Sequence, residues 1–413
     1  MTKEEVAKKL EEFMAVLKRT PARERAALCK QWGMKRVVSR EKSSFGKRNT
    51  KSKNHHWDEI DLTTYRSDKP VMVCLSGNGA VTVSEANGFC KTAENMLGLL
   101  FKDKPENSNP EDYIDFISCA YGKDNAYLYY PEGYEIRDIY SDLNDYKREF
   151  PLAYEKAGTT CLGEGEAEKL VAAIMLPRCV DEKGGKLDID TCCKNMAEVS
   201  FFSYCYGSQA VNLVIDTFED AMLKHGFSKE ELEKINSSMH HISFARKEYT
   251  RKIPTVFFYA ANDYTIGSIN QLRNEIQQEG ERIKINICDK TGFTFGQAMV
   301  PERFGEEVGA EALEVAYIAI SDEEKEGFSN QDEDHNVMNL ARDRKWNIVF
   351  KKHPKFDAIS QMMAWAMCRI VEFSLLNKKS DKYIPFMSMH ALSDELLSIY
   401  DSIVKDDMSS AQE

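Results

Sequence analysis

Apolar residues fall into two regimes along the chain. From Glu4 to Trp32, Val6, Leu10, Phe13, Met14 and Leu17 recur at helical spacing, Pro21 interrupts, and Ala26, Ala27 and Leu28 open a second helical stretch. Residues 39–56 carry Ser, Lys, Arg and Asn without periodicity, as a linker does. Beyond residue 66, strand and helix patterns alternate. Pro70 to Ser76 is a short apolar run stopped by Gly77, Asn78 and Gly79, and an amphipathic helix follows from Ser84 to Leu100. Tyr113 to Tyr121 reads as the next strand, Ile139 to Gly158 as mostly helix, and Glu164 to Leu176 as a helix. Residues 179–195 are polar and glycine-bearing, the pattern of a loop. The strand Ala197 to Tyr204 then runs into a helix from Ser208 to His225, with Gly226 at its end and Ser228 capping another that reaches Ile235. Further strands are expected at Ile253 to Ala260, at Arg282 to Cys288 and at Leu313 to Ile320. They are followed by an acidic loop around residues 332–336 and an apolar helix from Phe356 to Leu376.

This alternation predicts an α/β fold, a mostly parallel central sheet with helices on both faces. Residues 1–66 are expected to form a helical arm and linker, and residues 67–403 the main domain with cap-like insertions at 122–196 and 227–252. Residues 404–413 read as a frayed tail.

Charge sharpens the division. Residues 1–56 hold 16 Lys and Arg against 6 Asp and Glu, or +10, whereas the chain as a whole carries −12. A basic arm beside an acidic body can meet an anionic surface or the body itself. Specific nucleic-acid binding is not expected, because no aromatic residues interleave the basic ones for base stacking. No apolar run approaches the roughly 18 residues of a membrane helix, and Met1-Thr2-Lys3-Glu4-Glu5 has no secretory apolar stretch behind it. A cytoplasmic protein without a cleaved signal is therefore expected, export by a dedicated system staying open. The 11 cysteines include no CxxC pair, and most sit in apolar runs as buried thiols do. His55-His56, His240-His241 and Cys192-Cys193 lack a second pair at ligand spacing, so neither metal nor cofactor is expected. Gly77-Asn78-Gly79 has no third glycine and no ribose-binding acid, which excludes a dinucleotide fingerprint.

The candidate chemistry gathers at Ser203-Tyr204-Cys205-Tyr206-Gly207-Ser208, where a strand becomes a helix. A side chain held on so sharp a corner needs small neighbours two before, two after and three after it, and Ser203, Gly207 and Ser208 stand there. Ser203 and Ser208 are poorer nucleophiles, since either would place an aromatic residue where the corner wants a small one. A thiol at this position gains thiolate character from the positive end of the helix it starts.

The elbow Ser203-x-Cys205-x-Gly207-Ser208, the strand-turn-acid from Phe257 to Gly267 and the downstream His335 resemble the α/β-hydrolases, whose chain order is nucleophile, acid, histidine. The resemblance covers roughly residues 66–380 and rests on three short motifs. Tyr204-Cys205-Tyr206-Gly207 is similar to the cysteine elbow of polyhydroxyalkanoate synthases, and dienelactone hydrolases also use cysteine there. It implies Cys205 as nucleophile, His335 as base, Asp263 as the orienting acid with Asp289 as the alternative, and an oxyanion hole from the Tyr206 N–H with Asn78 and Gly79. Two departures stand out: cysteine replaces the commoner serine, and 72 residues with an extra expected strand separate Asp263 from His335. The implied activity is hydrolysis of an ester, thioester or amide on a small-molecule acyl substrate. The alternatives are acyl transfer from the same cysteine and a hydrolase-fold protein that only binds a partner.

Overall fold

A computed structural model describes residues 1–20, 25–39, 43–51, 56–77, 82–101, 109–121, 126–134, 143–156, 162–245, 250, 252–260, 293–299, 311–317 and 354–410. The helices are α1 (Lys3–Leu17), α2 (Arg25–Gln31), α3 (Val83–Met96), α4 (Gly98–Phe101), α5 (Leu143–Glu149), α6 (Glu164–Leu170), α7 (Ile189–Met196), α8 (Gly207–Lys224), α9 (Lys229–Asn236), α10 (Pro354–Lys379) and α11 (Met389–Ser410). The strands are β1 (Met34–Ser39), β2 (Ser44–Arg48), β3 (Trp57–Ile60), β4 (Val71–Leu75), β5 (Asp115–Ala120), β6 (Ala126–Pro131), β7 (Tyr154–Lys156), β8 (Val199–Tyr204), β9 (His240–Phe244), β10 (Thr255–Ala260), β11 (Phe293–Met299) and β12 (Glu311–Tyr317). None of the helices is long and apolar enough to cross a membrane among the described residues.

Two compact units result, Met1–Ser43 with Tyr121–Gly163, and Ser44–Ala120 with Glu164–Glu413. The first contains residues 1–43 of the stretch expected as an arm and linker. Its apolar stripe of Val6, Leu10, Phe13, Met14 and Leu17 is buried against Leu128, Tyr129, Tyr146 and Phe150, because an amphipathic helix is stable only with its stripe covered. Strands β1, β6 and β7 make an antiparallel sheet beside it. Phe13 meets Tyr129 at 5.4 Å between ring centres, and the Tyr146 hydroxyl donates to the Tyr129 carbonyl at 2.9 Å.

The expected linker is corrected, since part of it is β2. Its basic residues are neutralised by the body: Lys47 Nζ lies 2.5 Å from Asp115, and Arg48 Nε 2.7 Å from Glu94. Residues 189–196, expected as loop, form α7, whose N-terminus Asp188 caps by accepting from the Thr191 N–H. Residues 404–410 continue α11 instead of fraying.

The second unit is an α/β fold around a nine-stranded sheet of order β11-β12-β10-β9-β8-β4-β5-β2-β3. Six central strands, β12 to β5 in that order, are parallel, with antiparallel β11 at one edge and β2 and β3 at the other. The parallel strands read as apolar runs because both faces are covered. Met72, Cys74, Phe202, Ile242, Phe244 and Phe258 pack with α3, α10 and α11 on one face. Val71, Val73, Leu75 and Phe201 are buried on the other, where α8 lies against β4 and β8.

Strand β9 had not been expected. Its Ile242 and Phe244 alternate with Ser243, but two adjacent histidines obscure the apolar pattern.

Candidate active site

The sheet order locates a crevice before any side chain is considered. From β4 the chain moves to β5 on one side and later returns to β8 on the other, so the connections diverge between β4 and β8. In open α/β sheets ligands bind outside the carboxyl ends of strands at such a switch point. Cys205 is the first residue past β8 and Gly77 the second past β4.

Cys205 has φ 52°, the left-handed region, which costs a non-glycine residue about 1–2 kcal/mol. Its neighbours hold it there. The Cys205 N–H donates to the Phe244 carbonyl at 2.9 Å, and the Ser208 hydroxyl donates to the Cys205 carbonyl at 2.9 Å. A Cβ on Gly207 would collide with the Leu75 carbonyl oxygen and stand 3.2 Å from the Ser203 Cβ, so both positions must be small. A Cβ on Gly77 would lie 2.8 Å from the Cys205 Cβ, which makes the β4 exit and the elbow a close backbone approach.

Tyr206 occupies the N-cap position of α8 with helical angles, and no side chain caps this end. The 18-residue helix therefore presents its positive end beside the buried Cys205. Nine described cysteines are free and buried; Cys205 is the one among them at positive φ.

Ala245, the first residue past β9, is likewise left-handed at φ 45° and fully buried. Its N–H donates to the Phe258 carbonyl at 2.9 Å. No glycine marks it, so the sequence carried no signal for a second strained turn beside the first.

Histidines 240 and 241 project to opposite faces of β9, as consecutive strand residues must, so they cannot share a metal ion. His240 packs against the rings of Phe373 and Phe386, which also meet each other, and its buried Nδ1 has no hydrogen-bond partner. His241 bonds Ser203 Oγ through Nε2 and Thr250 Oγ1 through Nδ1, each at 2.7 Å. Burial pushes both imidazoles down to about 3, so both stay neutral near pH 7. Among the described residues no three His, Cys, Asp or Glu side chains converge where a metal ion would fit, and no histidine bonds the Cys205 thiol.

His335, Asp263, Asp289, Asn78 and Gly79 lie outside the described residues. The strands before Asp263 and His335 are described. β10 ends at Ala260, three residues before Asp263, and β12 ends at Tyr317, 18 residues before His335. Both are parallel to β8, so their carboxyl ends meet the edge that carries Cys205. β10 and β12 pair directly, and the intervening β11 is added outside β12. No protein-family model matches the chain, and no curated protein does.

Proposed function

We propose that the second unit is an α/β-hydrolase-like enzyme that cleaves an ester or thioester through an acyl-enzyme on Cys205. The observation that carries this reading is a non-glycine residue held left-handed at the carboxyl edge, at the switch point of a parallel sheet. Strain of that kind persists only where the surroundings over-determine it, and it gathers at reactive sites. A buried structural thiol needs neither the corner nor the three small neighbours.

In this reading His335 takes the Cys205 thiol proton and becomes imidazolium, the thiolate attacks the acyl carbonyl carbon, and the carbonyl oxygen becomes an oxyanion. The Tyr206 N–H and the chain beyond Gly77, at Asn78 or Gly79, donate to that oxygen, each donor being worth about 3 kcal/mol. Collapse expels the alcohol or thiol, which takes a proton from the His335 imidazolium. His335 then removes a proton from water, whose oxygen attacks the acyl-cysteine, releasing the acid and restoring the thiol. Asp263, or Asp289 in its place, holds the imidazole tautomer. The direct pairing of β10 with β12 favours Asp263, because acid and histidine then follow neighbouring strands. Amides are harder substrates for the same steps.

Chromogenic esters and thioesters of graded acyl length, offered to wild type and Cys205→Ala, test the reading. Hydrolysis by the wild type that disappears in the variant is expected. Equal hydrolysis by both proteins would remove Cys205 from the reaction.

A further inference from the structure

The centre of a parallel sheet favours Val and Ile, so an imidazole there needs a reason. His241 is fully buried on β9, and both of its nitrogens are satisfied. Ser203 has one proton. Given to Ser243 Oγ at 3.1 Å, it leaves the Ser203 oxygen to accept from His241 Nε2–H at 2.7 Å, and Nδ1 then accepts from the Thr250 hydroxyl. The ring also meets Phe257 edge-on, with Thr255 Oγ1 3.5 Å from Nδ1, and no charged side chain bonds it among the described residues. The resulting chain of hydrogen bonds ties β8, β9 and the approach to β10 together.

That tie lies two residues below the elbow. Downstream, Cys205 is fixed by Ser208 and by the close contact at Gly207. Upstream, its N–H needs the Phe244 carbonyl of β9 at bonding distance, and the Ser203 hydroxyl, bonded to His241 and Ser243, links those two strands beside their main-chain ladder. A glycine at position 203 would satisfy the steric demand but supply no hydroxyl.

We propose that His241 is a positioning residue for Cys205, acting through Ser203 to hold the elbow in its left-handed conformation at the α8 N-terminus. The inference rests on the reading of Cys205 as an activated thiol. It assigns the serine of the elbow a role other than nucleophile, and gives the buried histidine one other than base.

Two conservative substitutions separate the two nitrogens. A glutamine amide reaches the depth of Nε2 and can still meet Ser203, whereas an asparagine amide reaches only the depth of Nδ1 and Thr250. The measurement is the rate of Cys205 carbamidomethylation at pH 7 in the full chain, mapped by peptide mass, with melting temperature recorded alongside. His241→Asn is expected to slow the reaction about tenfold, because the elbow then loses its hold on the thiol. His241→Gln is expected to stay within about threefold of wild type, since it keeps the link that holds the thiolate in place. Ser203→Ala, which keeps the residue small, should behave like His241→Asn and stands in for it if that variant does not fold. Equal rates in the Asn and Gln variants, or a wild-type rate in Ser203→Ala, would overturn the proposal. A wild-type Cys205 no faster than the other thiols would instead defeat the reading of Cys205 itself.

Discussion

The two edges of the same sheet solve opposite problems. At the amino edge charge is paired repeatedly. Asp115, almost fully buried, accepts from the Tyr65 and Ser67 hydroxyls at 2.7 Å each and faces Lys47 at 2.5 Å. Arg48 bridges Glu94 and Asn87, and Lys378 reaches Glu198 at 3.3 Å. Burial, and then the charge of Asp115, push the Tyr65 phenol far above its usual range, so it remains a donor. At the carboxyl edge stand two left-handed non-glycine residues, Cys205 and Ala245, on adjacent strands. Polar pairing fixes the amino edge, while backbone strain is kept at the carboxyl edge where the Cys205 thiol sits. Charge pairing and backbone strain thus occupy opposite ends of the same strands.

The largest effect should come from the amino edge. Asp115→Ala strands a partly buried lysine and two hydroxyls, and is expected to cost about 3–5 kcal/mol in urea unfolding. The rate of Cys205 alkylation per folded molecule should not change, and a slowed rate would break the separation of the edges. A smaller loss, about 2–3 kcal/mol, is expected for Gly207→Ala from overpacking against the Leu75 carbonyl. Glycine to alanine in an exposed helix ordinarily gains about 1 kcal/mol, so the sign alone is diagnostic. An unchanged or raised unfolding midpoint would mean that the elbow is looser than described. The smallest effect concerns Cys205 itself. Cys205→Gly should unfold at higher urea than Cys205→Ala, by about 1 kcal/mol, because only glycine adopts φ 52° without penalty. The reverse order would show that the turn relaxes once the thiol is gone.

Much of the parallel sheet was legible because its strands are covered on both faces. β4, β5, β8 and β10 read as short apolar runs, and α8 and α9 declared their ends through Gly226 and the Ser228 capping box. The first unit was illegible for a different reason. The stripe on α1 announced that it needed cover, but its cover is β6, more than a hundred residues further on, and no local pattern encodes that pairing. β9 was hidden by His240 and His241; the polarity of His241 makes sense only once Ser203 and Thr250 are seen beside it, whereas His240 packs against Phe373 and Phe386. At the candidate site the small residues around Cys205 expressed a local steric rule and could be read directly. Ala245 obeys no such rule, and the partnership of Ser203 with His241 depends on which strands become neighbours.

The first unit is assembled from residues 1–43 and 121–163, with 77 residues of the second unit between them. On a ribosome adding roughly 5–20 residues per second, α1 therefore waits on the order of 5–20 s after emerging before β6 follows it. Throughout that interval the stripe of Val6, Leu10, Phe13, Met14 and Leu17 has only part of its native cover, from Leu28, Cys29, Met34 and Trp32. The charges that line this helix, among them Lys3, Glu4, Glu5, Lys8 and Lys9, stand on the side away from that stripe. Their hydration gives the amphipathic segment a solvated face while its stripe is incompletely covered.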